Sequence, residues 1–291
     1  EVIKRGIDID EFAPRLSFFF TTHNYFFEEI GKLRAARKLW AKIMKERFRA
    51  KDENSLRLRF HTQTAGVTLT AQQPNVNIIR VTLQALAAVL GGTQSLHTCG
   101  ADEALSIPTE ESVRISLRTQ QVLAHESGIT DVVDPLGGSY YIEYLTSQLV
   151  QKAMEYIEKI DKMGGMPKAI EQGFIQREIL NNAYRDQKAI DEGKRNVVGV
   201  NLFCTEKEYK IETFKHDKDE EMQIIQKLSE FRKQRDSELV KEKLEQLRIV
   251  ANSSENIMPI MIEAVKSYAT IEEICNVLRE EFGEYKAPEN L

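Results

Sequence analysis

Two stretches constrain this chain most: Phe60-His61-Thr62-Gln63-Thr64-Ala65-Gly66 and Gly91-Gly92-Thr93-Gln94-Ser95-Leu96-His97-Thr98. Each reads as a short strand ending in hydrogen-bonding side chains, followed by a turn and a helix. A third run of this kind, Arg15-Leu16-Ser17-Phe18-Phe19-Phe20, precedes them. Three consecutive βα units predict a parallel sheet with right-handed crossovers. Polar strand ends leading into loops are where parallel α/β barrels build their active sites. Three strands do not close a barrel, so most of such a barrel is expected elsewhere.

The spacing of Ile30, Leu33, Leu39, Trp40, Ile43 and Met44 predicts a helix over about 25–48. A second helix is expected from near Pro74 to Gly91-Gly92, and a third over 110–126 with Thr109 as its N-cap. The loop Asp134-Pro135-Leu136-Gly137-Gly138-Ser139 marks a change of regime. Beyond it helices are predicted over about 144–163 and 168–191, then a short apolar strand over 196–203. One long amphipathic helix over 219–251 and two shorter ones near 257–268 and 271–282 complete the chain. The resulting fold class is α/β, with a barrel portion over 1–135 and a mostly helical segment over 136–291.

The formal charge of −5, with no long basic run, argues against nucleic acid as a partner. The apolar run 18–27 is interrupted by Thr21, Thr22, His23 and Asn24 and is too short to span a bilayer. No signal peptide is recognised, and the start at Glu1 rather than Met suggests a piece of a longer sequence. Cys99, Cys204 and Cys275 lie far apart, so no zinc-type spacing exists, no metal site is expected, and a reducing, cytoplasmic setting is.

Alternation separates the two faces of each strand. Leu16, Phe18 and Phe20 form one set and Arg15, Ser17 and Phe19 the other. In the second strand, Leu58 and Phe60 oppose Arg59, His61 and Gln63. The apolar sets suit the helix-facing side. The other sets would point to a barrel axis, where an unpaired buried polar group costs about 1–3 kcal/mol. One polar strand end is ordinarily a satisfied structural group; two neighbouring strands with the same bias make a polar ligand an equally economical explanation. In the third strand, parity groups Gln94 with Leu96, so only a bulge would bring Gln94 inward. His97 reads as structural.

At these residues the chain closely resembles the large subunit of the adenosylcobalamin-dependent acyl-CoA mutases, the methylmalonyl-CoA mutase family. The matching stretches are FAPRLSFFF (12–20), LRFHTQTAGVTLTAQQP (58–74), LGGTQSLHT (90–98), DEALSIPTE (102–110), DPLGGSYYIE (134–143), MGGMPKAIEQGFIQREI (163–179) and VVGVN (197–201). The resemblance covers nearly the whole chain. It implies the last three βα units of a TIM (β/α)8 barrel, threaded by a CoA ester, and a helical segment after them. It also implies radical carbon-skeleton rearrangement, such as (R)-methylmalonyl-CoA to succinyl-CoA. Isobutyryl-CoA and 2-hydroxyisobutyryl-CoA mutases are the close alternatives, and a non-catalytic assembly subunit is the alternative from another class.

Position by position, Arg15 and Ser17 resemble residues that bind the CoA portion, and Phe19 one near the substrate. Gln94 falls with them as a substrate-side candidate. His61 and Gln63 resemble catalytic-site polar residues, whereas Gly66, Glu103 and Ser106 resemble corrin-facing positions. Cys99-Gly100-Ala101 departs from the family, which usually carries Asn, a small residue and a large or aromatic one there; Ser106 stands where Ala is common. The family's acyl-gripping residues and its cobalt-ligating Asp-x-His-x-x-Gly motif are absent from this sequence. The resemblance therefore implies two partners in an oligomer: an N-terminal barrel half and a cobalamin-binding small subunit or domain.

Overall fold

Strand β1 (Phe18–Thr22), β2 (Phe60–Thr64) and β3 (Ser95–His97) form one parallel sheet in the order β1-β2-β3. Phe19 pairs with His61 and His61 with Ser95; Thr21 pairs with Gln63 and Gln63 with His97. The computed structural model describes residues 2–206 and 211–286. It divides into two compact units, Glu1–Phe214 and Lys215–Leu291.

In the first unit, α1 (Ile9–Phe12) leads into β1, α2 (Phe26–Glu46) connects β1 to β2, and α3 (Val76–Leu90) connects β2 to β3. Then follow α4 (Glu110–His125), α5 (Tyr140–Lys162), α6 (Met166–Glu171) and α7 (Phe174–Asp191). The alternation read from the sequence is realised. Phe18 and Phe20 pack with Leu33, Leu58, Phe60 and Trp40 on the helix side, Phe18 meeting the Trp40 ring edge-on at 4.8 Å. Phe19, on the other face, is 61% exposed. Leu16, grouped with the apolar set, lies before β1 and stays exposed. Thr109 caps α4 through its hydroxyl, as its position before an acidic first turn predicts.

The first unit continues past the expected boundary at 135. Ile142 of α5 is buried with Ile30 and Ala87, and each such burial contributes about 1.5–3 kcal/mol. Gly31 allows the approach, since a Cβ there would stand 3.3 Å from the Leu145 Cβ. Arg34 adds ion pairs to Asp134 and Glu143. The predicted helix over 168–191 is two helices, α6 and α7, separated at Gly173, whose φ of +67° no regular α-helix accommodates. The predicted strand over 196–203 is a turn with a single bridge between Val198 and Leu202. Arg80 donates to the Val198 carbonyl at 2.6 Å, and Asn201 folds back on Val197, so local bonds replace a ladder.

The second unit holds α8 (Lys218–Gln234), α9 (Ser237–Ala251), α10 (Ile257–Lys266) and α11 (Ile271–Phe282). The long helix expected over 219–251 breaks after Gln234. Asp236 accepts from the Glu238 and Leu239 amides and so starts α9 as an N-cap. Leu247, Ala264, Ile274 and Val277 form the core of this unit.

Candidate functional site

The sheet face away from the helices presents two rows of side chains, Phe19–His61–Ser95 and Thr21–Gln63–His97. The Phe19 ring lies 5.0 Å from the His61 imidazole, and His61 Nδ1 is 2.7 Å from the Ser95 hydroxyl. Gln63 Nε2 donates toward Cys99 Sγ at 3.5 Å. Arg15 and Ser17 are exposed just before β1, at the opposite end of the strands from Gly66.

Gln94 stands apart. It precedes β3, its carbonyl oxygen accepts from the Phe60 amide at 2.8 Å, and its NH2 donates to Gly92. No bulge turns it inward, so Ser95 and His97 take the inward positions of β3. Gln94 is a backbone brace, and His97, read as structural from the sequence, stands exposed on the open face.

The strand ends are fixed by polar groups of α3 that the sequence reading did not single out. Gln84 accepts from Ala65 N–H and donates to Asn24 and Thr68, joining the ends of β1 and β2. Asn77 donates to the Thr70 and Ala101 carbonyls, and Arg80 donates to Asn77. Asn77, Arg80 and Gln84 are all buried on an otherwise apolar helix. Their spacing of three and four residues was the available sign.

The loop at 99–103 closes the same end. Cys99 is 1% exposed; its thiol lies 3.2 Å from the Thr64 carbonyl, and its amide donates to Thr64 Oγ1. Burial pushes the thiol up from its ordinary value, and the neighbouring Glu103 carboxylate adds to the effect. The Gly100 amide donates to Glu103. A Cβ on Gly100 would meet Ser112 Oγ at 2.7 Å and Asp102 Oδ1 at 2.9 Å, so no larger residue fits. Ala101 lines a cleft of about 770 Å³ with Asn75, Ile78, Asp102 and Thr109, and its small side chain leaves that space open. Ser106 Oγ donates to the Ile107 carbonyl and accepts from the Phe214 amide at 3.4 Å.

Gly66 has no internal reason to be glycine. Its φ is not left-handed, and a Cβ would meet only Cys99 Sγ at 3.8 Å. It is exposed at the end of β2 beside Val67, which is 87% exposed. The backbone is therefore bare next to exposed apolar surface.

Fold and site together define an α/β protein with a polar parallel-strand face left uncovered by its own helices. The family model described as Methylmalonyl-CoA mutase matches residues 1–284. The chain is 49% identical over 288 residues to the 2-hydroxyisobutanoyl-CoA mutase large subunit of Aquincola tertiaricarbonis, covering 98% of this chain and 51% of that one. It is 45% identical to the methylmalonyl-CoA mutase of Rhizobium meliloti (98% and 40% covered) and 43% identical to the mitochondrial methylmalonyl-CoA mutase of Homo sapiens (99% and 39% covered). This chain belongs to the methylmalonyl-CoA mutase family. It spans about half, or less, of the length of these relatives.

Proposed function

We propose that this chain is part of an adenosylcobalamin-dependent acyl-CoA mutase, an isomerase, and that β1–β3 are the last three βα units of a TIM barrel. The open strand face carries the reading. Its imidazole, amide and hydroxyl groups would be costly inside a closed aliphatic barrel, whereas a thioester ligand along the axis gives them partners.

Arg15 and Ser17 bind the CoA portion, the guanidinium through charge-assisted bonds to phosphate. Phe19 packs against the acyl chain and keeps water from it. His61 Nδ1 is bonded to the Ser95 hydroxyl, and in the Nε2–H tautomer His61 presents a donor to the thioester carbonyl. Gln63 adds its amide beside it. Gly66, Glu103 and Ser106 would hold the corrin face, and adenosylcobalamin, when bound, supplies the radical chemistry. Its cobalt ligand comes from another domain or chain.

The substrate class is a branched acyl-CoA, read first as (R)-methylmalonyl-CoA going to succinyl-CoA. A 2-hydroxyisobutyryl-CoA or isobutyryl-CoA substrate is the second reading, favoured by the 49% identity to the Aquincola large subunit. The partners are an N-terminal barrel half and a cobalamin-binding small subunit or domain, in an oligomer. A cytoplasmic setting suits three unpaired cysteines, and among the described residues no helix is long and apolar enough to cross a membrane.

The test is reconstitution of the chain with the polypeptide encoded immediately upstream and a cobalamin subunit, assayed with cofactor and each acyl-CoA. Turnover of one of them is the expected result. An assembled but inactive mixture would favour a non-catalytic assembly subunit with the family fold.

A further inference from the structure

The loop that departs from the family pattern brings together three side chains of ligating type. One ligand atom each of His97, Cys99 and Glu103 lies within 4.8 Å of the others. We propose that these residues form a binding site for a thiophilic divalent cation, with Zn2+ the best match.

The donor set is one imidazole nitrogen, one thiolate sulfur and one carboxylate oxygen, the mixture that zinc accepts. Tetrahedral zinc, with bonds of about 2.0–2.3 Å, would hold its ligand atoms about 3.3–3.8 Å apart. The three groups therefore need to close by roughly 1 Å. His97 is exposed and Glu103 half-buried, so both side chains can make that movement, whereas Cys99 is fixed. Exposure of His97 also gives the ion a path in.

The surroundings already orient the ligands, as supporting groups around metal sites do. The Gly100 amide holds Oε1 of Glu103 and leaves Oε2 for the ion. Gln63 Nε2 points a donor at the Cys99 sulfur, where it would stabilise a thiolate. The Cys99 amide is tied to Thr64 Oγ1 at 2.9 Å, so the sulfur's position is set by the sheet.

Charge also balances. On binding, Cys99 loses its proton to solvent, His97 is neutral, and thiolate plus carboxylate cancel the two positive charges of the ion. The complex therefore leaves no net charge in a half-buried site, at the cost of the contact between the Cys99 thiol and the Thr64 carbonyl. Three protein ligands leave a fourth position for water, the open arrangement of zinc. Spacing along the chain hides this site, because His-x-Cys-x-x-x-Glu is not a zinc-finger pattern. The β3 end and the turn at Gly100 create it. If the corrin-facing reading of Glu103 also holds, the ion and the cofactor compete for that carboxylate; that consequence rests on the proposed function, whereas the site does not.

The experiment is titration of the full chain, with Cys204→Ser and Cys275→Ser removing the exposed thiols, by Co2+ as a spectroscopic substitute for zinc. The expected result is a near-ultraviolet thiolate-to-cobalt charge-transfer band that saturates at one equivalent and is erased by added Zn2+. Cys99→Ser should abolish the band, and His97→Ala or Glu103→Gln should each weaken binding about tenfold or more. Far-ultraviolet circular dichroism checks the fold of each variant, and the exposed His97 keeps the test decisive even if Cys99→Ser unfolds. Absence of the band at stoichiometric Co2+, or a band unchanged by His97→Ala, would overturn the site. Neither reading depends on mutase activity.

Discussion

At the scale of single residues, the sheet shows how far alternation can be trusted. The Phe18/Phe20 and Phe19 split was legible from the sequence because the helices cover one face of the sheet, which must be apolar, and leave the other face exposed. Gln94, a substrate-side candidate that parity already set apart, has its side-chain amide bonded to the Phe60 and Gly92 backbones. Ser95 and His97, which the sequence reading did not put forward, stand on the open face opposite His61 and Gln63. The Cys99-Gly100-Ala101 run drew notice in the sequence, but its packing did not show there. Gly100 is confined by Ser112, Asp102 and Pro108, and only the folded loop reveals this. We expect Gly100→Ala to destabilise the first unit by about 1–3 kcal/mol through overpacking, measured by urea denaturation. A change within about 0.5 kcal/mol, the range of ordinary surface substitutions, would mean the loop yields easily.

At the scale of elements, helices with strong periodicity were legible and breaks were not. The apolar stripe over 219–251 runs through Arg235 and Asp236, and periodicity cannot see a cap that interrupts it. The break is held by Arg235, whose guanidinium donates to both oxygens of Glu273 at 2.8 and 2.5 Å and to the Tyr268 carbonyl. Glu273 is also the third residue of a capping box with Thr270 at the start of α11. The bonds from Arg235 bring the Glu273 carboxyl down to about 2, from an ordinary value of 4.5, against the opposing effect of burial. Between those two values the unfolded chain binds the proton and the folded unit does not. The pair's contribution is therefore complete above pH 4.5 and is lost as pH falls toward 2. Acid titration of the full chain, followed by far-ultraviolet circular dichroism, should show helix loss that begins at higher pH in Arg235→Gln. Identical acid curves for the two proteins would contradict this role.

At the scale of the whole molecule, the sheet is small and parallel. Among the described residues β1 and β3 each pair only with β2, which leaves strand edges of the kind that invite association. Their existence was legible as three βα units. The extent of the first unit was not, because the loop at 134–139 reads as a boundary, while α5 returns to pack on α2 through Ile30 and Ile142. Sedimentation velocity of the lone chain should reveal self-association, relieved when the upstream polypeptide is added. A stable monomer over a wide concentration range would count against the split-barrel account.

The central claim is that the Phe19–His61–Ser95 row faces the reacting acyl group. The most direct measurement is turnover by the reconstituted mutase carrying His61→Ala. Loss of one positioned donor is expected to lower kcat by about 100-fold, with assembly and thermal stability retained, since among the described residues half-buried His61 makes a hydrogen bond to the Ser95 hydroxyl alone. An unchanged kcat in a fully assembled enzyme would remove His61, and with it this strand face, from the site of reaction.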